Sequence, residues 1–228
     1  MLVRVALFAA ILALPAAAVA QDAPAPEPTL YGKLMDGVYT SPGGIYRVAI
    51  PVLPELGGKV HDTENVVTFD DALNTHVSIA CFPLDLSQKW EYENRGARDY
   101  LAYFYSNFVM PDFQSRFRGA STEASLFVPD LHHGTLLAFA LLPGGSFFDG
   151  KARVLDAPVG DATVAKRGNL LFVENGFIFV ISAELAERVT QPKTFQKTPE
   201  QENEILRDRL VTFVGRIEVL VPKPESKS

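Results

Sequence analysis

The sequence predicts an α+β fold, in which a mainly antiparallel sheet is covered by a long central helix and a C-terminal helix as an α-β-α sandwich. Three observations support this class. Short turns join successive strand-forming segments, and short turns connect only antiparallel strands. The later strands are apolar on both faces, which is typical of a sheet covered on both sides. Two amphipathic helical patterns follow the two groups of strands.

The first group of strands consists of two predicted hairpins. Residues 38–40 and 45–50 flank a Ser-Pro-Gly-Gly turn, and residues 66–69 and 76–82 flank a polar connection. Alternation along 76–82 divides its side chains between two faces of the sheet. One face carries Val77, Ile79 and Cys81, and the other carries His76, Ser78, Ala80 and Phe82.

The second group has three strands that are apolar throughout, at residues 135–142, 169–173 and 177–181. Asn175 and Gly176 connect the last two. An Asn-Gly pair accepts the positive φ angles that a type I′ turn requires, and it therefore predicts a tight hairpin. The loss of alternation predicts that helices cover both faces of these strands.

Two helices are predicted to supply that cover. Ser87 is expected to cap a long helix that runs towards Pro111, with an apolar stripe formed by Trp90, Ala97, Leu101, Phe104 and Phe108. Thr198, Pro199 and Gln201 predict the start of a final helix over 199–220 through an N-cap, a first-turn proline and a capping box. Its buried stripe is expected to contain Leu206, Leu210, Phe213, Val214 and Ile217.

The order of these elements, together with GVYTSPGGIYRVAIP at 37–51, resembles the PsbP-type α-β-α sandwich. The resemblance covers residues 36–220, approximately. It implies non-enzymatic accessory, assembly or binding roles, and many exported bacterial proteins of this type have unknown functions. It supplies no catalytic residue and no cofactor.

Residues 1–20 have the features of a cleavable signal peptide. Arg4 provides a positive start, residues 5–14 are apolar, and an Ala-Val-Ala sequence ends at Ala20. The apolar run is shorter than the roughly 20 residues that cross a bilayer. We therefore expect a periplasmic or secreted protein of the bacterial envelope, without stable membrane insertion after cleavage.

Beyond the signal, the sequence predicts a Pro/Ala-rich linker at 21–29, a single α+β domain at 30–221 and a disordered tail at 222–228. Loss of Arg4 with the signal changes the formal net charge from −6 to −7. No basic cluster exceeds the pair Lys166-Arg167, which argues against nucleic acid as a partner.

Cys81 and His76 are the first candidates for nucleophilic chemistry. Because they are five residues apart on one predicted strand, their side chains leave opposite faces. Cys81 shares its face with apolar residues and is interpreted as a core residue, since a reactive thiol needs an accessible, electropositive setting.

The histidines are the candidate metal ligands. His132 and His133 follow Asp130, and His61 lies in a segment with Asp62 and Glu64. Zinc needs three or four converging ligands. A metal-dependent hydrolase that uses His61, His132 and His133 is therefore the alternative function, against a structural or capping role for the same residues.

The remaining polar motifs have structural interpretations. Asp70 and Asp71 suit a turn, and the acids at 200, 202 and 204 suit the start of a helix. Residues 145–151 have the spacing of a phosphate-binding loop, but Ala152 replaces the hydroxyl that would bind magnesium.

Phe147 and Phe148 are the candidate partner-binding residues. They lie in the long segment 144–162, which has little periodicity. Either one of them plugs the edge of the sheet, or the pair is exposed and forms a binding surface. The sequence thus predicts an exported, non-catalytic accessory or binding protein without cofactor, whose partner is another envelope protein.

The expected cleavage has a direct test. Mass spectrometry of the protein exported by its native cell should find Gln21 at the N-terminus, with or without cyclisation to pyroglutamate, because the peptidase cuts after the small residues. A mature protein that keeps Met1 would contradict the predicted signal peptide.

Overall fold

The computed structural model describes residues 30–148 and 163–220. The predicted signal peptide at 1–20, the linker at 21–29 and the tail at 222–228 lie outside the described residues. No helix in the described ranges is both long enough and apolar enough to cross a membrane.

The described residues form strands that all pair antiparallel. In chain order these are β1 (Lys33–Met35), β2 (Val38–Thr40), β3 (Tyr46–Ala49), β4 (Lys59–Asp62), β5 (Val66–Asp70), β6 (His76–Pro83), β7 (Ser121–Val128), β8 (Thr135–Pro143), β9 (Val164–Glu174), β10 (Phe177–Glu184) and β11 (Ile217–Val219). A small sheet has the order β1-β2-β3-β11, and a large sheet has the order β4-β5-β6-β10-β9-β8-β7.

The helices lie on both sides of the large sheet. They are α1 (Leu86–Phe104), α2 (Met110–Arg116), α3 (Glu187–Thr190) and α4 (Pro199–Val214), and a π-helical turn (Tyr105–Val109) joins α1 to α2. α1 packs on β8 and β9, whereas α4 packs on β9 and β10. The predicted α+β class, with helices on both faces of an antiparallel sheet, is confirmed.

Two apolar cores follow from this layering, one on each face of the large sheet. The core beneath α4 and the small sheet includes Tyr39, Tyr46, Phe69, Ile79, Phe172, Phe179, Leu206 and Leu210. The core beneath α1 and α2 includes Tyr100, Leu101, Phe104, Met110, Leu136, Leu142, Leu171 and Ile178. Because β8, β9 and β10 contribute to both cores, their lack of alternation is explained as predicted.

The predicted turn between the last two apolar strands is confirmed. Asn175 has a φ of 50° and Gly176 a φ of 79°, and the turn pairs Phe177 with Glu174. The capping box of α4 is also present, since Thr198 accepts a hydrogen bond from the Gln201 N–H and Gln201 accepts one from the Thr198 N–H.

The C-terminal prediction is wrong beyond residue 214. The chain does not continue as a helix to 220, because residues 217–219 leave α4 and pair with β3 as an edge strand. Glu218 points outwards there and receives two hydrogen bonds from Arg47, at 2.8 and 3.0 Å. Ile217, expected on the helical stripe, therefore belongs to the small sheet.

The central helix differs more from its prediction. It begins at Leu86 with Asp85 as its N-cap, whose side chain accepts the Gln88 N–H at 2.8 Å. Gly96, with φ 73° and ψ 166°, breaks the helix and turns its first half back, so that the Tyr100 hydroxyl donates to Gln88 at 2.7 Å. The break resets the helical phase, and Trp90, expected on the buried stripe, is 62% exposed.

Pro111 does not end the helix as expected. It falls in the first turn of α2, where its missing N–H is tolerated. The preceding turn widens to a π-helix, which is a common adjustment where the regular hydrogen-bond ladder is interrupted.

A buried ion-pair network holds α4 against the sheet. The Lys166 ammonium group is fully buried and contacts the carboxylates of Glu123 on β7 and Glu202 on α4. Glu202 also accepts from Arg188 at 2.7 Å. Glu202 lies in the first turn of α4, where a negative charge was expected, and it is also a buried partner of Lys166.

Replacement of Gly96 should test the break in α1. The backbone there lies in a region that is almost restricted to glycine, so we expect Gly96→Ala to lower the free energy of unfolding by about 1–3 kcal/mol. The matched control is Gly215→Ala, whose φ is −61° and whose added Cβ would make only ordinary contacts. Denaturant titrations that give equal losses for both variants would contradict the strained break.

Candidate functional site

The face of the large sheet that lies beneath α1 and α2 is only partly covered by these helices. α1 packs over β8 and β9 and α2 over β7. A cavity of about 580 Å³ remains between the helical layer and strands β5, β6 and β10. We call this cavity the helix-side groove.

Small side chains on the floor make room for the groove. Ser78, Ala80 and Ser182 are half-buried and face the helical layer. Their neighbours on β6, Ile79 and Cys81, point into the opposite core as predicted. A face that elsewhere carries large apolar residues is therefore hollow at these positions.

The strand register gives the floor a gradient of polarity. Cross-strand rows run, from one end to the other, as Phe82 with Ile178, then Ala80 with Val66 and Val180, then Ser78 with Thr68 and Ser182. Beyond the serine row, the next residue of β6 on the same face is His76. The floor of the groove is thus apolar at the Phe82 end and polar at the His76 end.

The helical wall is aromatic. Phe104 and Phe108 stack with their ring centroids 4.8 Å apart, and both line the groove with Phe113. Phe108 lies in the π-helical turn and is 44% exposed. Turns of this kind often occur at functional sites, because they redirect side chains from the regular helical positions.

An ion pair lies at the polar end. Arg167 on β9 and Glu184 on β10 are cross-strand partners whose charged groups are 3.6 Å apart. The guanidinium Nη2 also donates to the Gly145 carbonyl at 2.8 Å, and Glu184 accepts from the Ser146 hydroxyl at 2.6 Å. The two buried charges therefore balance each other, and each also has a hydrogen bond to a neutral neighbour.

Two nitrogen atoms at this end lack a hydrogen-bond partner among the described residues: Nε2 of His76 and Nε of Arg167. Both side chains line the groove, and His76 is 6% and Arg167 7% exposed. Burial, aided by the positive charge of Arg167, lowers the pKa of His76 to about 3. The imidazole is therefore neutral at physiological pH.

Phe147 and Phe148 have different environments. Phe147 is 57% exposed, stacks on His76 at 3.8 Å and lies 4.4 Å from the guanidinium carbon of Arg167. Phe148 is 1% exposed and packs with Ala186 and Val189. One of the two rings is therefore buried and the other exposed: Phe148 is enclosed, and Phe147 lies at the mouth of the groove. Residues 149–162 of the predicted binding segment lie outside the described residues.

The three candidate metal ligands do not converge. His61 lies on β4 at one edge of the large sheet, 3.8 Å from an Asp70 oxygen. His132 and His133 lie in the β7–β8 turn with positive φ angles, and His132 contacts Glu174 at 3.2 Å and stacks on Phe172. In ranges 30–148 and 163–220, no group of three metal-binding side chains is assembled. The alternative in which these three histidines bind a metal is therefore not supported by the described part of the chain.

Other predicted roles agree with the structure. Cys81 is buried in the core beneath α4, and burial raises the pKa of its thiol to about 12. Asp71 closes a turn by accepting the N–H groups of Leu73, Asn74 and Thr75. Within the segment that resembles a phosphate-binding loop, residues 149–151 lie outside the described residues.

The groove itself was missed from the sequence. Its signal was present on β6, where His76, Ser78 and Ala80 share one face. Small and polar side chains on a covered strand face indicate either a close approach of the helix or a cavity. The strand register is needed to recognise a cavity, because it shows that Ser182 on β10 and Arg167 on β9 lie on the same face of the sheet as these residues of β6.

Neither a family model nor a curated protein matches this chain. Solved structures to which it is similar include the PsbP protein of the cyanobacterium Synechocystis sp. PCC 6803, with 13% identity, a TM-score of 0.48, and coverage of 86% of this chain and all of that one. The Ran-binding protein Mog1p of Saccharomyces cerevisiae has 11% identity, a TM-score of 0.41, and coverage of 84% and 96%. A Bacteroides thetaiotaomicron VPI-5482 protein has 11% identity and a TM-score of 0.38, with coverage of 84% of this chain and 50% of that one.

A PsbP protein is thus among the solved structures similar to this chain, in line with the resemblance noted in the sequence. Identities this low transfer no binding partner or activity to this chain.

Single substitutions should separate the roles of the two phenylalanines. Phe148→Ser should lower the free energy of unfolding by about 3 kcal/mol or more, because it empties a buried site. Phe147→Ser should cost about 1 kcal/mol, the value of an exposed aromatic stack. Thermal or denaturant unfolding of both variants measures the difference. Equal losses would show that Phe147 is also a core residue.

Proposed function

We propose that this chain is an exported, non-catalytic binding protein that holds a small, largely apolar ligand in the helix-side groove. One observation carries the proposal: the groove has aromatic and aliphatic walls and ends at the side chains of His76 and Arg167, each of which has a buried nitrogen atom without a partner among the described residues. Its volume of about 580 Å³ lies in the range of small-molecule sites.

The unpartnered nitrogens support a ligand because of their energetic cost. A buried donor without an acceptor destabilises a fold by about 1–3 kcal/mol, and nearly all such groups in folded proteins are satisfied. The side chains of Arg167 and His76 line the same cavity. A molecule at the polar end of the groove would therefore lie beside both side chains.

The chemistry of the polar end supports binding rather than turnover. His76, with its pKa near 3, is a weak base at neutral pH. Arg167 is paired with Glu184, and Arg116 on the wall is paired with Asp112 at 2.9 Å. Such balanced groups orient a ligand without offering a strong acid, base or nucleophile.

The exported location and the envelope partner come from the sequence. A signal peptide at 1–20 directs the chain to the periplasm or the medium. The exposed ring of Phe147, at the mouth of the groove, favours a second candidate function: docking of another envelope protein over the mouth. The two functions are compatible, since a ligand in the groove would lie beneath the docked partner.

The test uses Nile red, a neutral apolar dye, and the exported chain. Ala80→Trp fills the groove floor, and we expect it to weaken dye binding by about tenfold or more, because the indole occupies the ligand volume. Ala102→Trp on the exposed face of α1 is the matched control and should bind as the native protein does.

Folding of each variant is checked by denaturant unfolding, and Ser78→Phe provides a second groove-filling change if Ala80→Trp does not fold. Native-like dye binding by a folded, groove-filled variant would refute the groove as the binding site. Absence of dye binding to the native protein would refute the proposed function.

A further inference from the structure

We infer that the ligand of the helix-side groove is a neutral amphiphile, an apolar chain with an uncharged head that accepts a hydrogen bond, such as a primary amide or an alcohol. This inference rests on the proposed function and specifies the chemistry of the same site. The gradient of polarity along the floor and the charge balance at its polar end both support it.

The gradient sets the orientation. Apolar rows occupy one end of the floor and hydroxyl-bearing residues, followed by His76, the other. From Phe82 to His76 the strand advances six residues, or about 20 Å at the usual rise per residue. A site that changes from aromatic to polar over this length suits an extended molecule with one apolar and one polar end.

Arg167 defines the head group as an acceptor. Its Nε–H can only donate, and this group has no partner among the described residues. The Nε2 atom of a neutral His76 donates or accepts, depending on the tautomer. A hydroxyl or carboxamide satisfies either case, because each offers both an acceptor and a donor.

Charge balance argues against an ionised head. The carboxylate of Glu184 already lies 3.6 Å from the guanidinium of Arg167, and a second carboxylate there would face it in a poorly solvated site. At the groove wall, Asp112 balances Arg116 in the same way. Asp85, at the Phe82 end of the groove, is also acidic, so among the described lining residues no cation without an acidic partner is left to attract an anion.

Competition with bound Nile red tests the head group. Decanamide and decanoate share their chain length and differ in charge at pH 7.5. We expect decanamide to displace the dye at a concentration about tenfold lower than decanoate does, a ratio that corresponds to one good hydrogen bond. Stronger competition by decanoate, or failure of decanamide to compete, would refute the inference that the head group is neutral. The proposed function would still stand in that case, because it depends only on dye binding in the groove.

Arg167→Lys tests the donor. Lysine keeps the positive charge beside Glu184 but lacks the planar Nε–H donor, so we expect the affinity for decanamide to fall about tenfold, and to fall by more than the affinity for Nile red. The matched control is Arg188→Lys, which lies beside Glu202 on the other face of the sheet.

If Arg167→Lys does not fold, the pair Arg167→Met with Glu184→Leu removes both charges together and leaves no buried charge unpaired. Undiminished decanamide affinity in a folded variant would refute the assigned role of Arg167.

Discussion

The register of the hairpin formed by β9 and β10 is the constraint on which the groove depends. Positive φ angles at Asn175 and Gly176 close this hairpin in a two-residue turn, which places Arg167 opposite Glu184. A slip of one residue would move every side chain to the other face and would put Lys166 in the groove. Because β10 also pairs with β6, the same register aligns Ser182 with Ser78 and completes the floor.

The helical layer supplies the other half of the site because it is irregular. A straight helix would continue the phase of its first turns, but Gly96 interrupts α1 and the π-helical turn interrupts it again before Pro111. The two interruptions let the layer cover β8 and β9 closely and present Phe104 and Phe108 along the open side of the groove. Tight packing on one half of the sheet thus coexists with a cavity on the other.

Local signals in the sequence were sufficient for much of the fold. The Asn-Gly turn, the capping box at Thr198 and the doubly apolar strands predicted the central sheet and its C-terminal cover, since each depends on neighbouring residues alone. The edge strands β1, β4 and β7 were missed because edges need little apolar alternation. The exposure of Trp90 was missed because periodicity assumes an unbroken helix.

The site was less predictable than the fold. Phe147 was identified as a candidate, but the groove depends on residues from β6, β9 and β10 that only the register brings together. The histidine cluster was the clearest polar pattern in the sequence, and its members lie towards opposite edges of the sheet. Residue type alone was thus a weak guide to convergence in space.

The exposed position of Trp90 has a spectroscopic consequence. It is the sole tryptophan of the chain and lies outside the groove, in the short helical segment before the break at Gly96. Its fluorescence is therefore that of a largely hydrated indole and is blind to events around His76. Because that segment is joined to the rest of α1 through a glycine, its emission and quenching report local fraying of the segment separately from cooperative loss of the core.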